Sequence, residues 1–132
     1  MHWIIRGILL LWAAFFGYLG LTGLGNPAVF TDTFGVTGDA AALNTVRADF
    51  AAFFLVSAAC VAWGALRPEH VRILAVPAAL FGAALIGRVV GVSLGDPLTE
   101  GIKQSMIVEA LSVALLLGSA WWLARSPVSK VP

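Results

Sequence analysis

Four long apolar stretches, separated by short polar segments, dominate the pattern of this chain. They cover residues of about 4–24, 45–66, 71–94 and 102–124. Each is about 20 residues long, the length that an α-helix needs to cross the hydrocarbon core of a bilayer. The pattern predicts an all-α membrane protein, with one domain over residues 1–125 that contains four transmembrane helices. Short connections between the stretches favour an antiparallel four-helix bundle.

Prolines near the ends of the stretches refine these boundaries. Pro68 follows the second stretch, and Asp96-Pro97 before the fourth predicts a helix N-cap with proline in the first turn. Pro77 lies inside the third stretch and predicts a kink there. The first stretch is long for a signal peptide and no A-x-A site follows it, so we expect it to remain as a span.

Two segments are too polar to cross a membrane. Residues 31–44 connect the first two stretches, and their part from Gly38 onward either extends the second helix or lies in the interface. Residues 126–132 are predicted to be a flexible cytoplasmic tail.

Composition supports the same class of protein. Hydrophobic residues make up 60% of the chain and charged residues 11%, whereas a soluble domain is about half apolar and a quarter charged. The net charge of +1 gives no basic footprint for nucleic acid. The single cysteine, Cys60, excludes an intrachain disulfide, and no cluster of His, Cys and carboxylates has metal-ligand spacing. We therefore expect no metal, no cofactor and no nucleic-acid partner, with the lipid bilayer as the surroundings.

The distribution of charges predicts how the helices cross the membrane. Cationic residues flank the N-terminus, the second loop and the C-terminus: Arg6, Arg67, Arg72, Arg125 and Lys130. Acidic residues occupy the first and third loops: Asp32, Asp39, Asp96 and Glu100. The positive-inside rule therefore places both termini in the cytoplasm. Four tryptophans lie near the same level, as an aromatic belt would: Trp3, Trp63, Trp121 and Trp122.

Small residues recur at every fourth position in the last two stretches. The third carries Gly87, Gly91 and Gly95, and the fourth carries Ala110, Ala114 and Gly118. Such stripes let helix backbones approach closely in lipid. We expect them to pack inside one bundle rather than at a dimer interface, while a homo-oligomer or a membrane-protein partner stays open.

Arg88 and Glu109 are opposite charges inside the third and fourth stretches, at similar depth from the same side of the membrane. A charge at bilayer depth costs about 2.5–3.5 kcal/mol on insertion scales, so it usually has a partner or a function. One interpretation is a buried ion pair that fixes helix register. The other is a ligand-binding or catalytic site that opens outward. The sequence supports both equally.

Helical spacing places further polar residues near this pair. Ser105 and Ser112 share a stripe of the fourth helix with Glu109, because they lie four residues before it and three after it. Tyr18 occupies the outer half of the first helix. An interfacial or packed aromatic is the simpler interpretation of Tyr18.

On the second helix, Asn44 and Arg47 share one face, whereas Asp49 is about 200° around the helix from Arg47. Both charges cannot point the same way. We expect Arg47 to point inward with Asn44, and Asp49 to face a neighbouring helix or the headgroups. The simpler alternatives are an arginine that snorkels to the headgroups and an aspartate at a solvated helix end.

The chain resembles the DoxX-like superfamily of small four-helix membrane proteins, in a branch of unknown function. The resemblance rests on Asn26-Pro27, Asn44-x-x-Arg47-Ala48-x-Phe50, Gly87-Arg88 and Glu109, and it covers nearly the whole chain. Ala51 and Ala52 stand where that family usually has two glycines. The resemblance implies a four-helix bundle in the bacterial inner membrane and no particular chemistry.

Three functions fit these residues. In the first, Arg88 and Arg47 hold the anionic or polar head of an amphiphile (a lipid, quinone or isoprenoid), Glu109 orients Arg88, and the bundle takes the tail. In the second, a cofactor-free enzyme uses Glu109 or Asp49 as a general acid or base on a lipophilic substrate, in an isomerase, cyclase or epoxide-opening reaction. In the third, the protein is a structural subunit of a membrane complex. We favour the first.

Overall fold

The chain folds into helices throughout the part that the structure describes. The structure is a computed structural model and describes residues 2–125, so the predicted flexible tail at 126–132 lies outside it. The elements are α1 His2–Gly25, α2 Ala28–Phe34, α3 Ala40–Leu66, a 3-10 segment Pro68–Leu74, α4 Ala75–Ser93 and α5 Glu100–Arg125. Four stretches are long and apolar enough to cross a membrane: His2–Gly25, Ala40–Leu66, Pro68–Ser93 and Glu100–Arg125. The predicted all-α class with four transmembrane helices is confirmed.

The connection between the first two long helices is more ordered than its polarity suggests. Asp39 caps α3, since its side chain accepts a hydrogen bond of 2.9 Å from the backbone N–H of Ala42. The helix therefore starts several residues before the apolar stretch does. The short helix α2, which the sequence analysis did not predict, ends at Gly35, whose φ of 65° suits glycine.

Two of the boundary predictions are wrong. Asp96 is not the N-cap of the last helix, because Thr99 takes that position and its Oγ1 accepts a 3.3 Å hydrogen bond from the N–H of Ile102. Pro77 is not the site of a kink. The departure from α-helical geometry comes earlier, at His70 in the 3-10 segment, with φ −107° and ψ 15°. Pro77 lies in the first turn of α4, where a missing N–H costs little because these amides lack α-helical partners.

The long helices form two antiparallel pairs. Helix α1 packs on α3, where Gly20 lies against Leu55, and α4 packs on α5, where Gly82 lies near Val113. At the end where α1 begins and α5 ends, an aliphatic core joins the pairs: Leu9, Ala13, Val61, Ala65, Val71, Leu74, Ala78 and Leu116. Trp12 adds a bridge from α1 to α5, donating a 3.0 Å hydrogen bond to Ser112 Oγ. Toward the other end, the core becomes aromatic.

The predicted small-residue stripes do not pack inside the bundle. A Cβ at Gly87 or at Gly118 would meet no atom within 4 Å. Gly95 lies after α4 with a φ of 106°, and Ala110 and Ala114 are exposed. The close helix contact lies instead between α1 and α3, since a Cβ at Gly20 would come 2.8 Å from Leu55. Spacing marks where close approach can occur but does not identify the partner.

Candidate functional site

A cavity of about 660 Å³ lies between the two helix pairs, toward the end where α1 ends and α5 begins. Its volume is typical of pockets that take small ligands. All five α-helices contribute to its wall, and seven of the eight phenylalanines of the chain line it: Phe15, Phe16, Phe34, Phe50, Phe53, Phe54 and Phe81. The wall is therefore rich in aromatic rings, which suits an apolar guest.

Arg88 and Glu109 meet on this wall. Arg88 Nε donates a 2.8 Å hydrogen bond to Glu109 Oε1, and the two side chains are 23% and 8% exposed. The guanidinium carbon also lies 5.8 Å from the ring centroid of Phe34, a cation–π distance. The contact between Arg88 on α4 and Glu109 on α5, which the sequence suggested, is thus present. Its role in ligand binding stays a prediction.

The pair is only partly satisfied within the protein. Glu109 Oε2 is buried and has no hydrogen-bond partner among residues 2–125. A buried acceptor without a partner costs about 1–3 kcal/mol. The one bond between the side chains uses one of the five N–H donors of Arg88, which leaves the others available on the wall. The site therefore presents an acceptor and several donors side by side.

Four further polar residues were predicted to lie near this pair on the first, second and fourth long helices; one of them reaches the cavity and three do not. Ser105 lines the cavity, although its hydroxyl donates to the backbone oxygen of Gly101 at 2.9 Å. Ser112 is buried beside Trp12 and is not on the wall. Asn44 and Tyr18 do not line the cavity. Both are exposed, Tyr18 to 69%.

Arg47 and Asp49 lie on different faces of α3, and only one of these faces borders the cavity. Asp49 lines the cavity and Arg47 does not. Arg47 lies half-buried on the α3 face of Ala51 and Phe54, at spacings i+4 and i+7, and its Nε is buried without a partner among the described residues. Because those two residues belong to the core, the face that looked like the inner one is packed rather than open.

Asp96 is a cavity residue that sequence reasoning assigned to another role. It lines the wall after α4, and its carboxylate lies over Gly91, where a Cβ would come 2.5 Å from Oδ2. Only the absence of a side chain at Gly91 permits this position. A glycine five residues before a loop aspartate is too common a pattern to have predicted it.

Comparison with known proteins places the chain in a family. The family model described as DUF4345, a domain of unknown function, matches residues 4–123. The chain belongs to the DUF4345 family. The matched range includes every residue of the cavity wall. Comparison with curated proteins and with solved structures gives no match. The protein is thus a small multi-pass membrane protein of this family, and its chemistry must be argued from the cavity.

Proposed function

We propose that the protein binds an amphipathic or lipophilic small molecule in the cavity between the helix pairs, in an accessory or binding role. The observation that carries the proposal is the unpartnered Oε2 of Glu109, on the wall of an aromatic cavity beside Arg88. The phenylalanines would cover the apolar part of the guest. The polar part would complete the hydrogen bonds that the protein leaves open.

The geometry of the pair favours binding over a purely structural role. An arginine and a carboxylate that only hold two helices together would be best satisfied by a bidentate pair, with two parallel hydrogen bonds. Here a single bond through Nε joins them, and the second carboxylate oxygen is left without a donor. A ligand with a polar head would remove that cost, so the arrangement supports a site rather than only a clamp.

The surroundings of the site follow from the same proposal. We infer that both termini are cytoplasmic, from the positive-inside pattern, and that the cavity opens toward the outer leaflet. The bacterial inner membrane and the DoxX-like superfamily are part of the proposal. They are supported by the four long apolar helices and by the resemblance in the sequence.

Substitution of Glu109 tests the binding role. The Glu109→Gln variant keeps the side-chain shape and removes the charge; Glu100→Gln is the matched control, since Glu100 lies on the same helix, is exposed and does not line the cavity. Native mass spectrometry of the proteins purified in neutral detergent would measure the bound molecule. We expect occupancy to fall about tenfold or more in Glu109→Gln, because hydrogen bonds to charged groups contribute about 1.5–3 kcal/mol, and to stay unchanged in the control.

Two results would contradict the binding role. One is a folded Glu109→Gln variant with the occupancy of the wild type. The other is a Glu109→Gln variant without a cooperative thermal transition while Glu100→Gln retains one, since the carboxylate would then be needed for the fold. Circular dichroism melts of the same samples distinguish the two.

A cofactor-free enzyme is the second candidate, and one observation favours it. Asp49 and Glu109 lie on the wall of the same cavity, so two carboxyl groups face one bound molecule. One could act as a general acid or base on a lipophilic substrate while Arg88 stabilises developing negative charge. In that case Asp49→Asn would retain the bound molecule but in an unreacted form, which the mass of the extracted ligand would show.

A further inference from the structure

The charges on the cavity wall are mostly negative. Arg88 is the one cationic side chain among the described residues that line the cavity, whereas Asp49, Asp96 and Glu109 are all acidic. Arg47, which would have added a second positive charge, is not on the wall. The wall therefore carries one formal positive and three formal negative charges.

The single cation is already engaged. Arg88 is bonded to Glu109 Oε1, and a carboxylate at hydrogen-bond distance offsets most of its attraction for a further anion. The other oxygen of Glu109 belongs to a side chain that is only 8% exposed and has no partner among residues 2–125. That oxygen is an acceptor, so the group that completes it must donate a hydrogen bond.

A metal ion does not fit this set of carboxylates. No group of three His, Cys, Asp or Glu side chains within residues 2–125 is placed to hold one. The acidic side chains are distributed over the wall: Asp49 on α3, Asp96 after α4 and Glu109 on α5. Carboxylates on three separate elements suit an extended organic guest better than a single ion.

We propose that the ligand of this cavity is a lipophilic amine: an amphiphile whose head is a protonated nitrogen that donates hydrogen bonds, rather than a carboxylate or phosphate. This inference rests on the proposed function and names the class of ligand. The ammonium donates to Glu109 Oε2 and is attracted by the two aspartates. Phenylalanine faces on the wall also attract a cation. An anionic head would meet Arg88 only by placing its charge beside Glu109.

A panel of amphiphiles that share one alkyl chain tests the preference directly. The probes are dodecylamine, dodecanol and dodecanoate, equilibrated at neutral pH with the protein in phosphatidylcholine nanodiscs, with empty nanodiscs to subtract partition into lipid. Bound probe is measured by mass spectrometry after separation. We expect the amine to bind about tenfold tighter than dodecanoate, with dodecanol between them, because like charges in a low-dielectric cavity repel.

The binding function and the preference for an amine fail in different ways in this experiment. If none of the three probes binds above empty nanodiscs, the binding function fails and the inference fails with it. If the probes bind but dodecanoate binds as well as dodecylamine or better, the cavity is a lipophile site and the inference alone is overturned.

Removal of the two exposed aspartates tests the cause of the preference. The double variant Asp49→Asn with Asp96→Asn should lower the ratio of amine to dodecanoate affinity several-fold, because it removes two negative charges from the wall. Asp32→Asn is the control, since Asp32 is exposed on α2 and does not line the cavity. An unchanged ratio in a folded double variant would show that the wall carboxylates do not select the ligand, and would overturn the inference.

Discussion

At the scale of single side chains, the Arg88–Glu109 pair has one strong hydrogen bond and one carboxylate oxygen without a partner among the described residues. The 2.8 Å bond from Arg88 Nε holds the carboxylate of Glu109, whose side chain is 8% exposed. A charge that is this buried depends on its partner, because an unpaired ion in an apolar environment is far more costly than a paired one. Substitution of one residue of the pair should therefore destabilise the protein, even though the net contribution of the intact pair to stability can be small.

The Arg88→Gln variant should therefore be less stable than the variant that replaces both residues. Removing Arg88 alone leaves Glu109 buried without its partner, which we expect to cost about 3 kcal/mol. Adding Glu109→Gln removes the lone charge and should recover part of that loss. Thermal or denaturant unfolding in the same detergent measures the difference. A double variant less stable than Arg88→Gln would show that the pair stabilises the fold by more than mutual neutralisation.

Residue chemistry was partly predictable from the sequence. Two opposite charges at matching depth in apolar helices have few other partners, so the meeting of Arg88 and Glu109 followed from insertion cost. The choice between Arg47 and Asp49 did not, because it depends on which face of α3 packs on its neighbours. Periodicity shows that two residues lie on opposite faces, but not which of the faces borders a cavity.

At the scale of elements, the first helix pair is held by a close approach of α1 and α3. Gly20 and Gly23 are buried on α1, and a Cβ at Gly23 would overlap the ring of Phe30. Phe30 is fully buried and its ring lies 5.5 Å from that of Phe50, a residue of the cavity wall. Small residues on α1 therefore set the position of aromatic residues that shape the site.

A single methyl group at Gly23 should destabilise the protein. The Gly23→Ala variant must displace the buried ring of Phe30, and overpacking of this kind costs about 1–3 kcal/mol. Gly7→Ala is the matched control on the same helix, because a Cβ there meets no atom within 4 Å. Thermal unfolding of both variants measures the effect. Equal stability of the two would mean that Phe30 does not pack against Gly23 as described.

At the scale of the whole molecule, hydropathy predicts how many helices cross the membrane but not the space between them. Bilayer thickness and backbone hydrogen bonding restrict an apolar stretch of this length to a spanning helix, so the four spans followed from sequence. A cavity lined by phenylalanine looks the same in hydropathy as a surface that faces lipid. The two helix pairs meet at their aliphatic core and leave a gap toward the other end. This gap depends on side-chain packing between the pairs, which cannot be read from a local sequence pattern.

Filling this space tests whether the arrangement of the whole bundle makes the site. Gly87 lines the cavity, and a Cβ there meets no atom within 4 Å, so Gly87→Leu should place a branched side chain in the void without displacing a neighbour. We expect bound ligand to fall at least about tenfold, since the side chain competes for the same volume, while the melting temperature stays within a few degrees. Gly7→Leu is the control, because Gly7 is exposed and lies outside the cavity.

Undiminished occupancy in a folded Gly87→Leu variant would place the bound molecule elsewhere on the protein, whereas loss in both variants would point to a general effect of added bulk. Loss in Gly87→Leu alone would identify the gap between the helix pairs as the binding site, because the variant leaves Arg88 and Glu109 in place.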